Sequence, residues 1–242
     1  MNNFYKANRE INYSDVDNKG YQRVDSILSD LQTLTAIHSK EMGVDGDTTA
    51  QKSNAFWVLS RIKLKIFQMP RHYDVVEMET FPTTVSAVKF MRDYKITKDG
   101  KDMVHATSEW CTLDIETKGI RRTSSICYPF ELEHRQDRSS TGDFLKIRQD
   151  VSLEDYHHTH VPRFVDIDSN GHTNNVAYMR MALNCFDLQE FSAEEIKEVE
   201  IAYISQTYFG DQIKLYKTKT DYGYYVEGKK DDKTVFTCVF KV

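Results

Sequence analysis

The 242-residue sequence predicts an α+β protein made of two like units, each a long helix set against long antiparallel strands. Three observations carry this. The turn Asp15-Val16-Asp17 with Gly20-Tyr21 recurs as Asp166-Ile167-Asp168 with Gly171-His172, at one offset of 151 (166 − 15 and 172 − 21). Ile62, Leu64 and Asp74 recur as Val199, Ile201 and Asp211, at an offset of 137 (199 − 62 and 211 − 74). After each turn the apolar period is helical, and it then changes to two. Such halves need not bury their sheets alone, and together they make a pseudo-dimer.

Taken in order, residues 4–13 read as a short strand and Asp15–Gly20 as a turn. Val24, Ile27, Leu28, Leu31, Leu34 and Ile37 are spaced three and four apart, which is a helix face, and it stops near Gly43 and Gly46. From Phe56 to Ile66 the period is two, with Ile62, Leu64 and Ile66 on one face and Arg61, Lys63 and Lys65 on the other. Pro70 ends that strand, and Asp74–Phe81, Ala87–Thr97 and Met103–Ile115 are three more, the last two joined by a hairpin at Lys98-Asp99-Gly100-Lys101. Residues 119–150 are rich in Arg, Ser, Asp and Gly, which sets a linker at 126–153 between a first repeat, 1–125, and a second, 154–242.

The second repeat begins with a strand at about 155–165, then a turn and a helix to about Leu188. Strands at Val199–Tyr208, Gln212–Thr220, Tyr222–Gly228 and Thr234–Val242 follow, the last two joined at Asp231-Asp232. The second helix is apolar nearly all round (Val176, Ala177, Met179, Met181, Ala182, Leu183, Cys185, Phe186), so it should be enclosed. A sheet wrapped round a buried helix is the hot-dog arrangement, and the repeat makes it a tandem hot-dog.

Net charge of −5 disfavours a wholesale basic surface for nucleic acid. No run approaches the roughly 20 apolar residues of a membrane span. The N-terminus has no apolar h-region, so no secretory signal is expected. Cys111, Cys127, Cys185 and Cys238 are far apart in sequence, which suits free thiols in a reducing cytoplasm rather than a zinc or redox pair.

The polar chemistry concentrates between Asp166 and Asn175. Asp166, Asp168, Asn170 and Gly171 fit the start of a calcium loop, but its twelfth position is Ala177, so the bidentate acid is missing. Helix capping accounts for part of the stretch. Asp168, Asn170 and His172 remain, alternately spaced beside a helix N-terminus whose free N–H groups favour developing negative charge. An acid or base, an amide and oxyanion donors suit hydrolysis of an activated carbonyl. The first repeat has Asp17, Lys19 and Tyr21 there, so it is read as structural. In His157-His158-Thr159-His160, alternation puts His158 and His160 on one face, but no Cys or carboxylate cluster adjoins them in sequence. A solvated strand and no metal are expected there.

Val161-Pro162-Arg163-Phe164-Val165-Asp166-Ile167-Asp168-Ser169-Asn170-Gly171-His172-Thr173-Asn174-Asn175-Val176 resembles the catalytic segment of the acyl-acyl-carrier-protein thioesterases, close to T-P-R-W-x-D-L-D-x-N-x-H-V-N-N-V. Trp57-Val58-Leu59-Ser60-Arg61 and Ala106-Thr107-Ser108-Glu109-Trp110 resemble strand motifs of the same family. The resemblance implies a double hot-dog that hydrolyses fatty acyl thioesters of acyl carrier protein, with no cofactor, as a monomer or homo-dimer. It carries the family's Asp, Asn and His onto Asp168, Asn170 and His172. The family's later acid falls on Gln206, which cannot serve as a general base but can hold the water. The neighbouring Cys of plant members falls on Thr207, and Thr173 replaces the usual Val. The acyl chain is expected in the first repeat, against Val24, Ile27, Leu28 and Leu31. The acidic carrier is expected to meet Arg121, Arg122, Arg135 and Arg138. A coenzyme A thioesterase or hydratase on the same fold, and a non-catalytic acyl-sensing module, are the alternatives.

Overall fold

The period-two segments of both halves pair into one antiparallel sheet. In the computed structural model, which describes residues 2–132, 135, 137–145 and 149–242, the strands are β1 (Tyr5–Glu10), β2 (Ala55–Ile66), β3 (Val75–Val85), β4 (Phe90–Lys98), β5 (Lys101–Asp114), β6 (Tyr156–His160), β7 (Glu198–Tyr203), β8 (Ile213–Thr220), β9 (Gly223–Lys230) and β10 (Lys233–Lys241). Their order is β1-β3-β4-β5-β2-β7-β10-β9-β8-β6, which reads the same outward from the centre in both repeats. At the centre Ile62 faces Ile201 and Leu64 faces Val199. Each residue thus faces the repeat mate of its neighbour, as a local twofold axis requires.

Two helices fill the concave side. α1 (Val24–Glu41) buries Val24, Ile27, Leu28, Leu31 and Leu34, the face set by its three-and-four spacing. α3 (Asn175–Leu183) buries Val176, Ala177, Tyr178, Met179, Met181 and Ala182. Buried Asp25 pins the two together, pairing with Arg23 at 3.0 Å and with Arg180 at 3.1 Å.

Several boundaries differ from expectation. α2 (Gly46–Ser53) has no apolar stripe to betray it. Asp45 caps it by accepting from Thr48 N at 3.1 Å, and Trp57 Nε1 reaches Thr49 Oγ1 at 3.0 Å. α3 ends at Leu183 rather than Leu188, so Cys185 and Phe186 enter the core from non-helical backbone. β6 stops at His160, before Pro162 and a 3₁₀ turn at Phe164–Asp166. β7 stops at Tyr203, because the next two N–H groups, Ile204 and Ser205, both turn onto Val235 O (2.9 and 3.1 Å).

Residues 138–145 of the linker form a strap rather than a free loop. Arg138 Nε and Ser139 N both donate to Asp93 Oδ2 at 2.8 Å, Ser140 Oγ meets His105 Nδ1 at 2.9 Å, and Thr141 Oγ1 meets Thr107 Oγ1 at 2.7 Å. Lys63, expected on a solvated face, is buried and donates to Asp143 O at 2.8 Å. Leu145 N donates to the buried Glu200 carboxylate at 2.8 Å. Lys63, Asp93 and Glu200 are therefore buried with hydrogen-bond partners.

Candidate active site

Both repeats close their turns with the same carboxylate geometry. Asp168 Oδ1 accepts from Asn170 N (2.8 Å) and His172 N (3.3 Å), while Asp168 N donates to His172 O (2.9 Å). In the first repeat Asp17 Oδ1 accepts from Lys19 N (2.9 Å) and Tyr21 N (3.0 Å), and Asp17 N donates to Tyr21 O (2.8 Å). The turn needs φ of +78° at Gly171, a conformation that glycine adopts without strain. Asp168, Asn170 and His172 thus share one closed loop, with Asn170 exposed and the other two half-buried.

The loop delivers the chain into α3. Asn174 N donates to Asp166 O (2.8 Å), and Asn174 Oδ1 accepts from Val176 N (2.8 Å), an N-cap. Ala177 N donates to Asn174 O (2.9 Å) and Thr173 N to Thr207 O (2.8 Å). Asn175 N is left without an acceptor among the described residues, so it is the donor available to a ligand at this end of the helix.

Beside His172 lies Tyr208, with ring centroids 5.2 Å apart and planes at 70°. Gln206 is exposed, lies beyond the end of β7 rather than on a strand, and makes no side-chain hydrogen bond among the described residues. Between them Thr207 is fully buried. Its N donates to Tyr178 Oη (3.0 Å), and its hydroxyl contacts Thr173 Oγ1 (2.7 Å) and Tyr178 Oη (2.8 Å). Burial pushes the Tyr178 hydroxyl above its ordinary pKa. The two Thr positions that depart from the family's Val and Cys therefore bond to each other. Sequence reading missed Tyr208, although the repeat held a signal. At the same offset of 137 (208 − 71) lies Arg71, which stacks on Tyr21, His172's mate, at 4.7 Å.

A small pocket, partly open to solvent, lies between α1 and the sheet of the first repeat and the start of α3. Leu28 and Leu31 of α1, Leu59 and Ile62 of β2, and Tyr94 and Trp110 form its apolar walls, and it reaches Asn175 and Val176 of α3. Asn175 is three residues after His172 (175 − 172). The polar atoms behind the wall are satisfied: Tyr94 Oη meets Thr35 Oγ1 (2.7 Å) and Ser108 Oγ (3.0 Å), and Trp110 Nε1 donates to Ser108 Oγ (2.7 Å). Val24 and Ile27 are buried in the core but do not line the cavity. In the second repeat Phe186, Phe191, Tyr224 and Phe240 occupy the interior, Phe186 lying 4.5 Å from Phe191 and 5.2 Å from Phe240 between centroids.

Of the four arginines expected to meet a carrier, three are held internally. Arg121 pairs with Asp114 at 2.9 Å, Arg138 with buried Asp93 at 2.8 Å, and Arg135 with Glu79 and Asp137. Arg122 is exposed and forms no ion pair among the described residues.

Fold and site together define a tandem hot-dog protein with a pocket that reaches the first turn of α3, which follows the loop of Asp168, Asn170 and His172 in the chain. A profile of the acyl-ACP thioesterase N-terminal domain matches residues 2–128 and one of the C-terminal domain matches residues 150–239, so the chain belongs to the acyl-ACP thioesterase family. It is similar to the chloroplastic oleoyl-acyl carrier protein thioesterase 1 of Arabidopsis thaliana, 25% identical over 232 residues that cover 89% of this chain and 64% of that protein. It is also similar to a chloroplastic palmitoyl-acyl carrier protein thioesterase of Gossypium hirsutum, 25% identical over 196 residues, 74% of this chain and 46% of that one. The chain thus spans less than two thirds of the length of these relatives. In fold it resembles an acyl-ACP thioesterase from Bacteroides thetaiotaomicron, at a TM-score of 0.88 and 21% identity over 99% of this chain and 97% of that one. It likewise resembles the 12:0-ACP thioesterase from Umbellularia californica, at 0.84 and 16% over 100% and 97%.

Proposed function

We propose that the protein hydrolyses the thioester joining a fatty acyl chain to the phosphopantetheine arm of an acyl carrier protein, releasing the free acid. The observation that carries this is the pocket: it lies between α1 and the sheet and is lined by Asn175 and Val176 of the first turn of α3, which follows the His172 loop in the chain. The acyl chain lies along Leu28 and Leu31, and the thioester carbonyl oxygen accepts from Asn175 N as it gains charge. His172 takes a proton from water as the water oxygen attacks the carbonyl carbon. The carbon–sulfur bond then breaks, and the leaving thiolate takes up a proton. Asp168 Oδ1 is committed to the loop, while Oδ2 has no partner among the described residues and supports the charge that develops on His172.

The acidic carrier docks on the rim of the same loop. Phe164, Val165 and Phe209 are 88%, 78% and 61% exposed there, and the Arg163 guanidinium lies 5.9 Å from the Phe209 ring. An apolar centre with a cationic edge suits a partner that is itself acidic. Comparing hydrolysis of one acyl group on carrier protein and on coenzyme A tests both parts. Faster turnover of the carrier ester, reduced selectively in Arg163→Glu, is the expected result. Equal turnover of the two esters overturns the carrier assignment, and no turnover of either overturns the hydrolase.

A further inference from the structure

A cluster of donor side chains lies at the far end of α3 from the His172 loop, on the order of 13 Å along the helix. We propose that His157, His158 and Cys185 bind one transition-metal ion of the zinc type, which clamps the edge strand β6 to the segment that follows α3. The ligand atoms of the three side chains all lie within 4.8 Å of one another.

Adjacent residues of a regular strand point to opposite faces, which is why the sequence does not reveal the pair. β6 is irregular at this point. Tyr156 faces Tyr216 and His158 faces Leu215, so His157 is an extra residue on its strand. Bulges of this kind re-aim a side chain. The two imidazoles meet, with Nδ1 atoms 2.7 Å apart and ring centroids at 5.0 Å. The third donor comes from just beyond the C-terminal end of α3. Because the helix stops at Leu183, Cys185 turns inward under β6 and is fully buried. Its thiol donates to Met181 O at 3.4 Å.

Two imidazoles and one thiolate are a donor set for Zn²⁺, whose sites leave a fourth position for water or a carboxylate. His157 is exposed, so that position is open to solvent. Glu190, which lies close enough to feel the charge of His157, binds Lys217 Nζ at 2.7 Å and completes a neutral pair beside the site. Burial pushes the Cys185 thiol up to about 12, so the metal must displace its proton. In the binding step two N–metal bonds and one S–metal bond form, the S–H bond breaks, and one proton leaves to solvent.

The test is a Co²⁺ titration of tag-free, chelator-treated protein. The expected result is a thiolate-to-cobalt charge-transfer band that saturates at one equivalent, with release of one proton from the thiol, and that Zn²⁺ abolishes. His157→Ala and His158→Ala sit on an edge strand and should weaken binding at least roughly 100-fold, and Cys185→Ser should remove the band. His72→Ala, a histidine of the other repeat, should leave it intact. A protein without a saturable band, or one whose band survives in both histidine variants, overturns the site. The outcome does not depend on hydrolase activity, so it separates cleanly from the proposed function.

Discussion

In the first repeat both oxygens of Asp17 are occupied: Oδ1 holds the turn, and Oδ2 accepts from Ala193 N at 3.0 Å. Tyr21 is stacked under Arg71. In the second repeat the same backbone loop leaves Asp168 Oδ2 without a partner among the described residues, and a histidine stands beside Tyr208 in place of the Tyr–Arg pair. The interiors differ in the opposite sense. The first repeat, with its 18-residue α1, keeps a cavity, while the second, with a helix of nine residues, is packed by a cluster of aromatic rings. One copy therefore supplies the space and the other the polar loop. A duplicated fold can divide a site in this way because its twofold axis brings the helix of one repeat against the start of the other's.

The largest effect that should break this comparison is His172→Ala. A fall in turnover of roughly 100-fold or more is expected with an unchanged Tm, while Tyr21→Ala leaves turnover near wild type. Equal losses in the two variants would mean that both loops act.

The same substitution in both repeats sharpens the point. Asp168→Asn keeps the Oδ1 acceptor and removes the charge, so turnover should fall roughly 100-fold while the fold persists. Asp17→Asn sets an amide N–H against Ala193 N–H, which should cost about 1–3 kcal/mol of stability and leave turnover intact. Denaturant unfolding and steady-state rates on the pair would show whether the roles cross as expected.

The interiors are tested by packing. Phe240→Ala should cost about 3–5 kcal/mol, without altering the preferred acyl length, since it opens space in the wrong repeat. Leu31→Phe narrows the cavity and should lower kcat/KM for long chains more than for short ones. A panel of carrier esters of graded length reads both.

A further contrast between the repeats concerns acid. His38 of α1 is fully buried, with Nδ1 2.9 Å from Arg92 Nη1, and burial followed by that guanidinium lowers its pKa to about 4. The unfolded chain binds the proton first, near pH 6.5. Stability from neutral His38 is therefore complete above that pH and is lost as pH falls toward 4, by up to about 3 kcal/mol. Its mate at the offset of 151 (189 − 38) is Gln189, which is exposed and does not titrate. His38→Gln should flatten the fall of Tm between pH 6.5 and 4, and an unchanged profile would place the acid sensitivity elsewhere.

Local pattern alone made much of this protein legible. The helix face of α1, the alternation of β2 and β5 and the turn glycines all follow from period and residue type. So does the grouping of Asp168, Asn170 and His172, because a loop of five residues cannot separate them. What escaped had no periodic signal. α2 is polar and rests on a cap. Alternation made Lys63 look solvated, and a strap 80 residues further along covers it. A bulge overrode the same alternation at His157 and His158.

The rest was decided by contacts between distant segments. Matching motifs put Gln206 nearest the histidine, but the bridge from Thr173 to Thr207 turns Tyr208 toward the His172 ring and leaves Gln206 in solvent. Nor could composition say which repeat is hollow, since both offer an apolar helix and an apolar sheet face. The rings of Phe186, Phe191 and Phe240 close one interior, and Leu28, Leu31, Tyr94 and Trp110 leave a small pocket in the other. Sequence determines which side chains turn inward, because that depends on local period. How completely they fill the space depends on their shapes meeting across the sheet, and only the tertiary structure sets that.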